Sequence, residues 1–244
     1  MSPLLGELLG TMILIMFGNG AMAGVLLNKS KAQNSGWIVL SAGWSFGVMS
    51  GVFVAQATGS PDAHINPAVT VASLVRGELS IRDAITYIAG QLIGAFIGAT
   101  LVWLNYLPHW GITTAQDAKL ACFCTGPAIR NPLANIISEI IGTFALVFVI
   151  FSISGAFQSS SDQNPATNLY PYLLANLVWG IGLALGGSTG YAINPVRDLG
   201  PRIAHAVLPI AGKGDSDWGY AWIPVVAPLM GSTLAALLAL AIDL

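Results

Sequence analysis

Charged residues are sparse along this chain, and the stretches between them are long and apolar. Between Glu7 and Lys29 lie 21 uncharged residues, between Lys31 and Asp62 lie 30, and between Asp83 and Asp117 lie 33. Further on, Glu139 to Asp162 leaves 22, Asp162 to Arg197 leaves 34, and Asp217 to Asp243 leaves 25. About 20 apolar helical residues cross a hydrocarbon core of roughly 30 Å. Each window is long enough for one transmembrane helix. The pattern predicts six, over 4–27, 36–57, 82–106, 132–155, 170–187 and 219–242. The short alternating strands of an outer-membrane barrel have no counterpart in it. The longest polar stretches, 107–131, 156–169 and 209–218, are loop-sized, so no soluble domain is expected. The first apolar run outlasts the ~7–15 residues of a secretory leader and follows no basic segment, so it reads as a true span.

Composition agrees. Of 244 residues, 8% are Asp, Glu, Lys or Arg, against about 25% in an ordinary soluble domain. Hydrophobic types make up 55% and mean hydropathy is +0.72. These values exclude a soluble enzyme and a disordered chain. The formal net charge of -2 leaves no basic patch to neutralise phosphates, so nucleic acid is excluded as a partner. The two cysteines, Cys122 and Cys124, cannot frame a disulfide scaffold. They would bind a metal only with partners that the sequence does not point to. No metal and no cofactor is expected. The 28 Gly and 13 Pro are many for a bundle of plain helices and hint at broken ones.

The chain repeats itself once. Glu7-Leu8-Leu9-Gly10-Thr11 recurs 132 residues on as Glu139-Ile140-Ile141-Gly142-Thr143, and Ile65-Asn66-Pro67 recurs 128 residues on as Ile193-Asn194-Pro195. Two matches in the same order at nearly equal offset imply two homologous halves within one channel-sized domain, 1–115 and 131–244. Three spans per half is an odd number, so the second half enters the membrane from the opposite side. Inverted repeats of this kind are common in proteins that move solutes.

Asn is a strong N-cap and Pro is favoured at the first helical position. Asn66-Pro67 therefore starts a helix over 67–76, and Asn194-Pro195 another over 195–204. Ten residues at 1.5 Å rise give about 15 Å, half the hydrocarbon thickness. In an inverted pair, two such half-helices meet N-terminus to N-terminus near the midplane. The loops leading in, 57–65 and 187–193, then expose carbonyls to a lumen, because irregular backbone at that depth needs protein or water around it.

The segments His64-Ile65-Asn66-Pro67-Ala68-Val69-Thr70 and Ile193-Asn194-Pro195-Val196-Arg197-Asp198-Leu199-Gly200-Pro201-Arg202 resemble the paired signature loops of the major intrinsic proteins, the aquaporins and aquaglyceroporins. The similarity runs on through both Glu-x-x-Gly-Thr segments and Ile129-Arg130-Asn131-Pro132, and covers nearly the whole chain. It implies an all-α membrane protein: six transmembrane helices in a right-handed bundle with two re-entrant half-helices and an inverted 3+3 repeat. It further implies a homotetramer with one pore per subunit, in the cell membrane, with both termini cytoplasmic. In that topology Lys29, Lys31, Lys119, Arg130 and Lys213 lie outside and Arg76 and Arg82 inside, against the positive-inside tendency.

The same resemblance places a selectivity filter at Trp44, Gly182, Tyr191 and Arg197, and a central constriction at Asn66 and Asn194. Phe46 would take the place of Trp44 without a two-residue insertion within 59–62. Each half-helix N-terminus carries about +0.5 charge, which repels cations, and the two carboxamides can donate to a passing oxygen. Arg197 is a fixed cation at membrane depth, a position that usually marks a pathway; pairing with Asp198 is the structural alternative. Gly182 brings no side chain and so a wider opening. Trp44 and Tyr191 would form an apolar corner opposite Arg197, which suits a polyol with one carbon edge and one hydroxyl edge. Asp198, Arg202, Tyr106, Pro228 and Leu229 fit the pattern of the glycerol-conducting branch. Val196 in place of Ala, and Tyr191 where glycerol facilitators often carry Phe, depart from it. Glu7 and Glu139, with His64 beside the first loop, are expected to brace the re-entrant loops. A proton relay is the alternative reading of these carboxylates.

The expected function is a passive channel for glycerol, related small neutral solutes and water. A secondary transporter with an inverted repeat is the alternative. An intramembrane enzyme has no credible nucleophile–base pair, since Gly43-Trp44-Ser45-Phe46-Gly47 matches the hydrolase elbow only inside an uncharged span.

Overall fold

The computed structural model describes residues 1–158 and 169–244. Most of the polar stretch 156–169 lies outside the described residues. Among those described there are ten helices and no strand: α1 (Pro3–Leu26), α2 (Trp37–Ala57), α3 (Pro67–Val75), α4 (Ile81–Asn105), α5 (Leu107–Ile112), α6 (Gln116–Ala121), α7 (Pro132–Gln158), α8 (Tyr170–Leu185), α9 (Pro195–Val207) and α10 (Ile223–Ala241). Five of them, α1, α2, α4, α7 and α10, are long and apolar enough to cross a membrane. The sixth expected span, α8, has 16 residues, about 24 Å of helix. It ends before the expected residue 187 because the chain turns at Gly186 to feed the second re-entrant loop.

Other boundaries also differ from expectation. The stretch 107–131 contains the short helices α5 and α6. The second half-helix runs three residues past 204, because Arg202 and His205, polar residues that suggest a helix leaving the core, are fully buried. The last span starts at Ile223, not 219, with Pro224 in its first turn.

Small residues bring the helices together. A Cβ on Gly90 would stand 2.6 Å from the Leu4 carbonyl oxygen, and one on Gly98 2.5 Å from that of Met12, so α4 lies directly on the backbone of α1. Close backbone approach is how helices associate where lipid supplies no hydrophobic drive. α1 packs against α2 and α4, α7 against α10, and α2 joins the two groups through α8. The half-helices cross over: α3 packs on α10, while α9 packs on α4. Each half therefore closes around the short helix of the other.

Candidate functional site

Asn66 and Asn194 are the N-caps of α3 and α9. Asn66 Oδ1 accepts from the Ala68 amide at 2.9 Å. Asn194 Oδ1 accepts from the amides of Val196 at 3.2 Å and Arg197 at 3.4 Å. The other end of each side chain crosses to the opposite loop. Asn66 Nδ2 donates to the Ile193 carbonyl and Asn194 Nδ2 to the Ile65 carbonyl, each at 2.9 Å. This reciprocal clasp fixes the two N-termini head to head. A carboxamide NH2 has two hydrogens, so one N–H of each asparagine is left over.

The loops before the caps hold unusual backbone. Ala63, Ile65, Tyr191 and Ile193 have φ of 46°, 44°, 39° and 43°. For a β-branched residue this is a true outlier, and such strain costs of order 1–3 kcal/mol per residue. The two buried glutamates offset it. Glu7 accepts from the amides of His64 (2.9 Å) and Ile65 (2.7 Å), the Ser60 hydroxyl (2.6 Å) and the Gln91 amide group (2.7 Å). Glu139 accepts from the amides of Ala192 (2.9 Å) and Ile193 (3.0 Å). His64 joins the first network through its main chain. Its ring bonds Thr70 Oγ1 at 3.1 Å and meets the Tyr87 ring edge-on at 5.1 Å.

A cavity of about 580 Å3, counting the space that opens to solvent, runs past these groups. Trp44, Tyr191 and Arg197 line one end, Asn66 and Asn194 its middle, and His64 and Ala63 the other end. Leu14, Val48, Val52, Leu174 and Val178 give it an apolar flank. His64, Ala63 and Val69 also line a second, wider cavity that opens between Gln56, Arg76 and Glu78. Together the two spaces form a path from the Trp44–Arg197 end to a mouth beside α3.

The guanidinium carbon of Arg197 lies 3.9 Å above the centroid of the Trp44 ring, a cation–π contact. Phe46, by contrast, is 56% exposed and away from the path. Asp198 is not the partner of Arg197. It takes Arg202 Nε at 2.7 Å and Nη2 at 2.9 Å, and the Thr125 amide and hydroxyl at 2.8 and 2.6 Å. The charge of Arg197 is thus uncompensated by any ion pair among the described residues. Trp44 Nε1 and Tyr191 Oη are buried without a protein partner. Gly182 adjoins Tyr191 rather than lining this cavity, and a Cβ on it would come within 3.0 Å of the tyrosine Cζ.

Sequence reasoning missed two residues here. Thr125 joins Arg202 in holding the first turn of α9 through Asp198, and it sits in a loop with no motif to flag it. Trp37 donates from Nε1 to the Gly182 carbonyl at 2.9 Å, a contact spanning 145 positions of sequence that no local pattern reveals.

Comparison with known proteins agrees with this geometry. The family described as "Major intrinsic protein" matches residues 1–239. A probable glycerol uptake facilitator protein of Thermotoga maritima is 51% identical over 237 residues, 97% of both chains. Glycerol uptake facilitator protein 3 of Lactiplantibacillus plantarum is 52% identical over 236 residues, covering 96% of this chain and 94% of that protein. The aquaglyceroporin of Plasmodium falciparum, solved by X-ray, superposes with a TM-score of 0.81 at 27% identity, over 97% of this chain and 93% of that one. Two facing half-helices, their asparagine clasp and a match over nearly the full length identify the chain as a member of the major intrinsic protein family.

Proposed function

We propose that the protein is a passive channel for glycerol, other small uncharged solutes and water. The observation that carries the reading is the cavity itself: narrow, apolar on one flank, and lined in its middle by two carboxamides at facing helix N-termini. A polyol can slide its carbon edge along the aliphatic flank while its hydroxyls meet Asn66, Asn194 and the loop carbonyls. Trp44, Tyr191 and Arg197 form the selecting constriction, and Gly182 acts on it from behind. Similarity to glycerol uptake facilitators at about half identity supports the same solute class.

Ions are turned away electrostatically. Two half-charges about 5 Å from a cation oppose it by roughly 3 kcal/mol at an effective dielectric near 20, some two orders of magnitude in occupancy. Arg197 adds a comparable barrier at the other constriction, and dehydration adds more. Among the described residues, no Asp or Glu lines the narrow cavity, which disfavours the ion-coupled transporter. Glu7 and Glu139 are engaged with donors of the re-entrant loops, and Glu7 also with Gln91 of α4, which supports bracing over a proton relay.

The assembly and placement follow the same reading. The halves 1–115 and 131–244 form an inverted repeat, the chain works as a homotetramer in the cell membrane, and both termini are cytoplasmic. The charge pattern that conflicts with this orientation has a structural account. Lys119 bonds the Ala211 carbonyl, Lys213 caps α9 through the carbonyls of His205, Ala206 and Leu208, and Arg130 pairs with Asp217. Three of the five outer cations are thus committed to the fold.

Osmotic light scattering of proteoliposomes tests the function. The expected result is glycerol flux that rises linearly with its gradient and ignores proton and sodium gradients. Saturation at low glycerol, or coupling to either ion, would replace the channel with a transporter.

A further inference from the structure

We infer that Trp37, the first residue of α2, is a positioning residue that sets the width of the constriction by fixing the ring of Tyr191. The inference rests on the reading that Trp44, Tyr191 and Arg197 select the solute.

The Tyr191 ring is held by its surroundings. Gly182 and Gly186, one turn apart at the end of α8, leave the space it fills. A Cβ on Gly186 would stand 2.5 Å from Tyr191 Cδ1 and 2.9 Å from Trp37 Cζ2, and one on Gly182 would stand 3.0 Å from Tyr191 Cζ and 3.1 Å from its Oη. Trp37 closes another side, meeting the Tyr191 ring edge-on at 6.0 Å and 70°. The indole is itself anchored. Its N–H donates to the Gly182 carbonyl at 2.9 Å. α8 ends at Leu185, so that carbonyl is among the last four, which lack a partner within the helix. One side chain thus satisfies the end of α8 and backs the tyrosine. Trp37 does not line the cavity and acts on the solute only through Tyr191.

Two substitutions should move the ring in opposite directions. Trp37→Ala frees space behind it, so the constriction widens. Flux of the four-carbon polyol erythritol should rise roughly tenfold relative to glycerol, the low end of what one methylene of fit changes. Trp37→Phe keeps an aromatic edge but loses the N–H, and should shift the same ratio in the same direction by less. Gly182→Ala pushes the ring toward the lumen, so glycerol flux should fall severalfold relative to water. In Trp37→Ala/Gly182→Ala the displaced ring takes the vacated space, and the glycerol-to-water ratio should return toward that of the unmodified protein.

The experiment is stopped-flow scattering of proteoliposomes with water, glycerol and erythritol, normalised to incorporated protein. Ratios are the readout because a merely structural role would scale all three fluxes together. Proportional loss of all three fluxes in both Trp37 variants, or a double variant whose glycerol-to-water ratio stays at that of Gly182→Ala alone, would overturn the inference. An unmodified protein that passes no glycerol would instead overturn the channel reading, before any variant is compared.

Discussion

Single residues at this site act through what they leave unpaired. Arg197 is 6% exposed, and the nearest carboxylate in sequence, Asp198, is taken by Arg202. Its charge is therefore available to the lumen. Arg197→Val should raise cation leak at least severalfold, read as proton and sodium flux in proteoliposomes; an unchanged leak would assign exclusion to the helix termini alone. The glutamates act in the other sense, by pairing what would be orphaned. A buried N–H without an acceptor costs about 1–3 kcal/mol. Glu7 serves four donors, whereas Glu139 serves two main-chain amides and the Thr189 hydroxyl. Glu7→Leu should thus lower the melting temperature in detergent more than Glu139→Leu, and both should lower it. The reverse order would mean that the strained backbone of each loop, not the donor count, dominates.

The elements show what a sequence can and cannot reveal. Uncharged windows located the five long apolar helices and the shorter α8, because burying a charge in hydrocarbon is costly enough to be visible as an absence. Asn-Pro pairs located both half-helix starts, because capping chemistry is local. Helix ends were less legible. α8 ends at Leu185 with Gly186 as its C-cap, short of the expected 187, although Gly186-Gly187 is a breaker signal at that point. α9 continues past 204 because its polar residues are satisfied from afar: Arg202 Nη1 donates to the carbonyls of Ser216 and Asp217, and Nη2 to that of Thr125. The Asn–carbonyl clasp and the seat of Gly182 behind Tyr191 depend on which loops meet, which no single segment encodes. α9 gives a test of such distant satisfaction. Removing one partner of a buried ion pair costs about 3–5 kcal/mol, whereas replacing both with apolar groups is often nearly neutral. Asp198→Leu should therefore unfold the protein at markedly lower temperature than Asp198→Leu/Arg202→Met. Equal melting of the two would show that the Thr125 contacts, not the stranded guanidinium, carry the loss.

At the scale of the whole molecule, the crossing of half-helices ties topology to function. α3 packs on α10 and α9 on α4, so neither half can complete the path alone. A head-to-head meeting of α3 and α9 also requires that they enter from opposite faces of the membrane. The chain must then expose the turn after α1 on one side and the turn after α3 on the other, since α2 crosses once and α3 returns to the side it left. Lys29 and Glu78 are exposed markers of those two turns. The native thiols make a quiet background, because Cys122 and Cys124 are 1% and 2% exposed and burial pushes the thiols upward in pKa, away from the reactive thiolate. In intact cells, a membrane-impermeant maleimide should label Lys29→Cys and leave Glu78→Cys unlabelled until the membrane is broken. Labelling only of Glu78→Cys would invert the whole orientation while keeping the path intact. Labelling of both from one side would mean that α2 does not cross, and with it the opposed approach of the two short helices would fall.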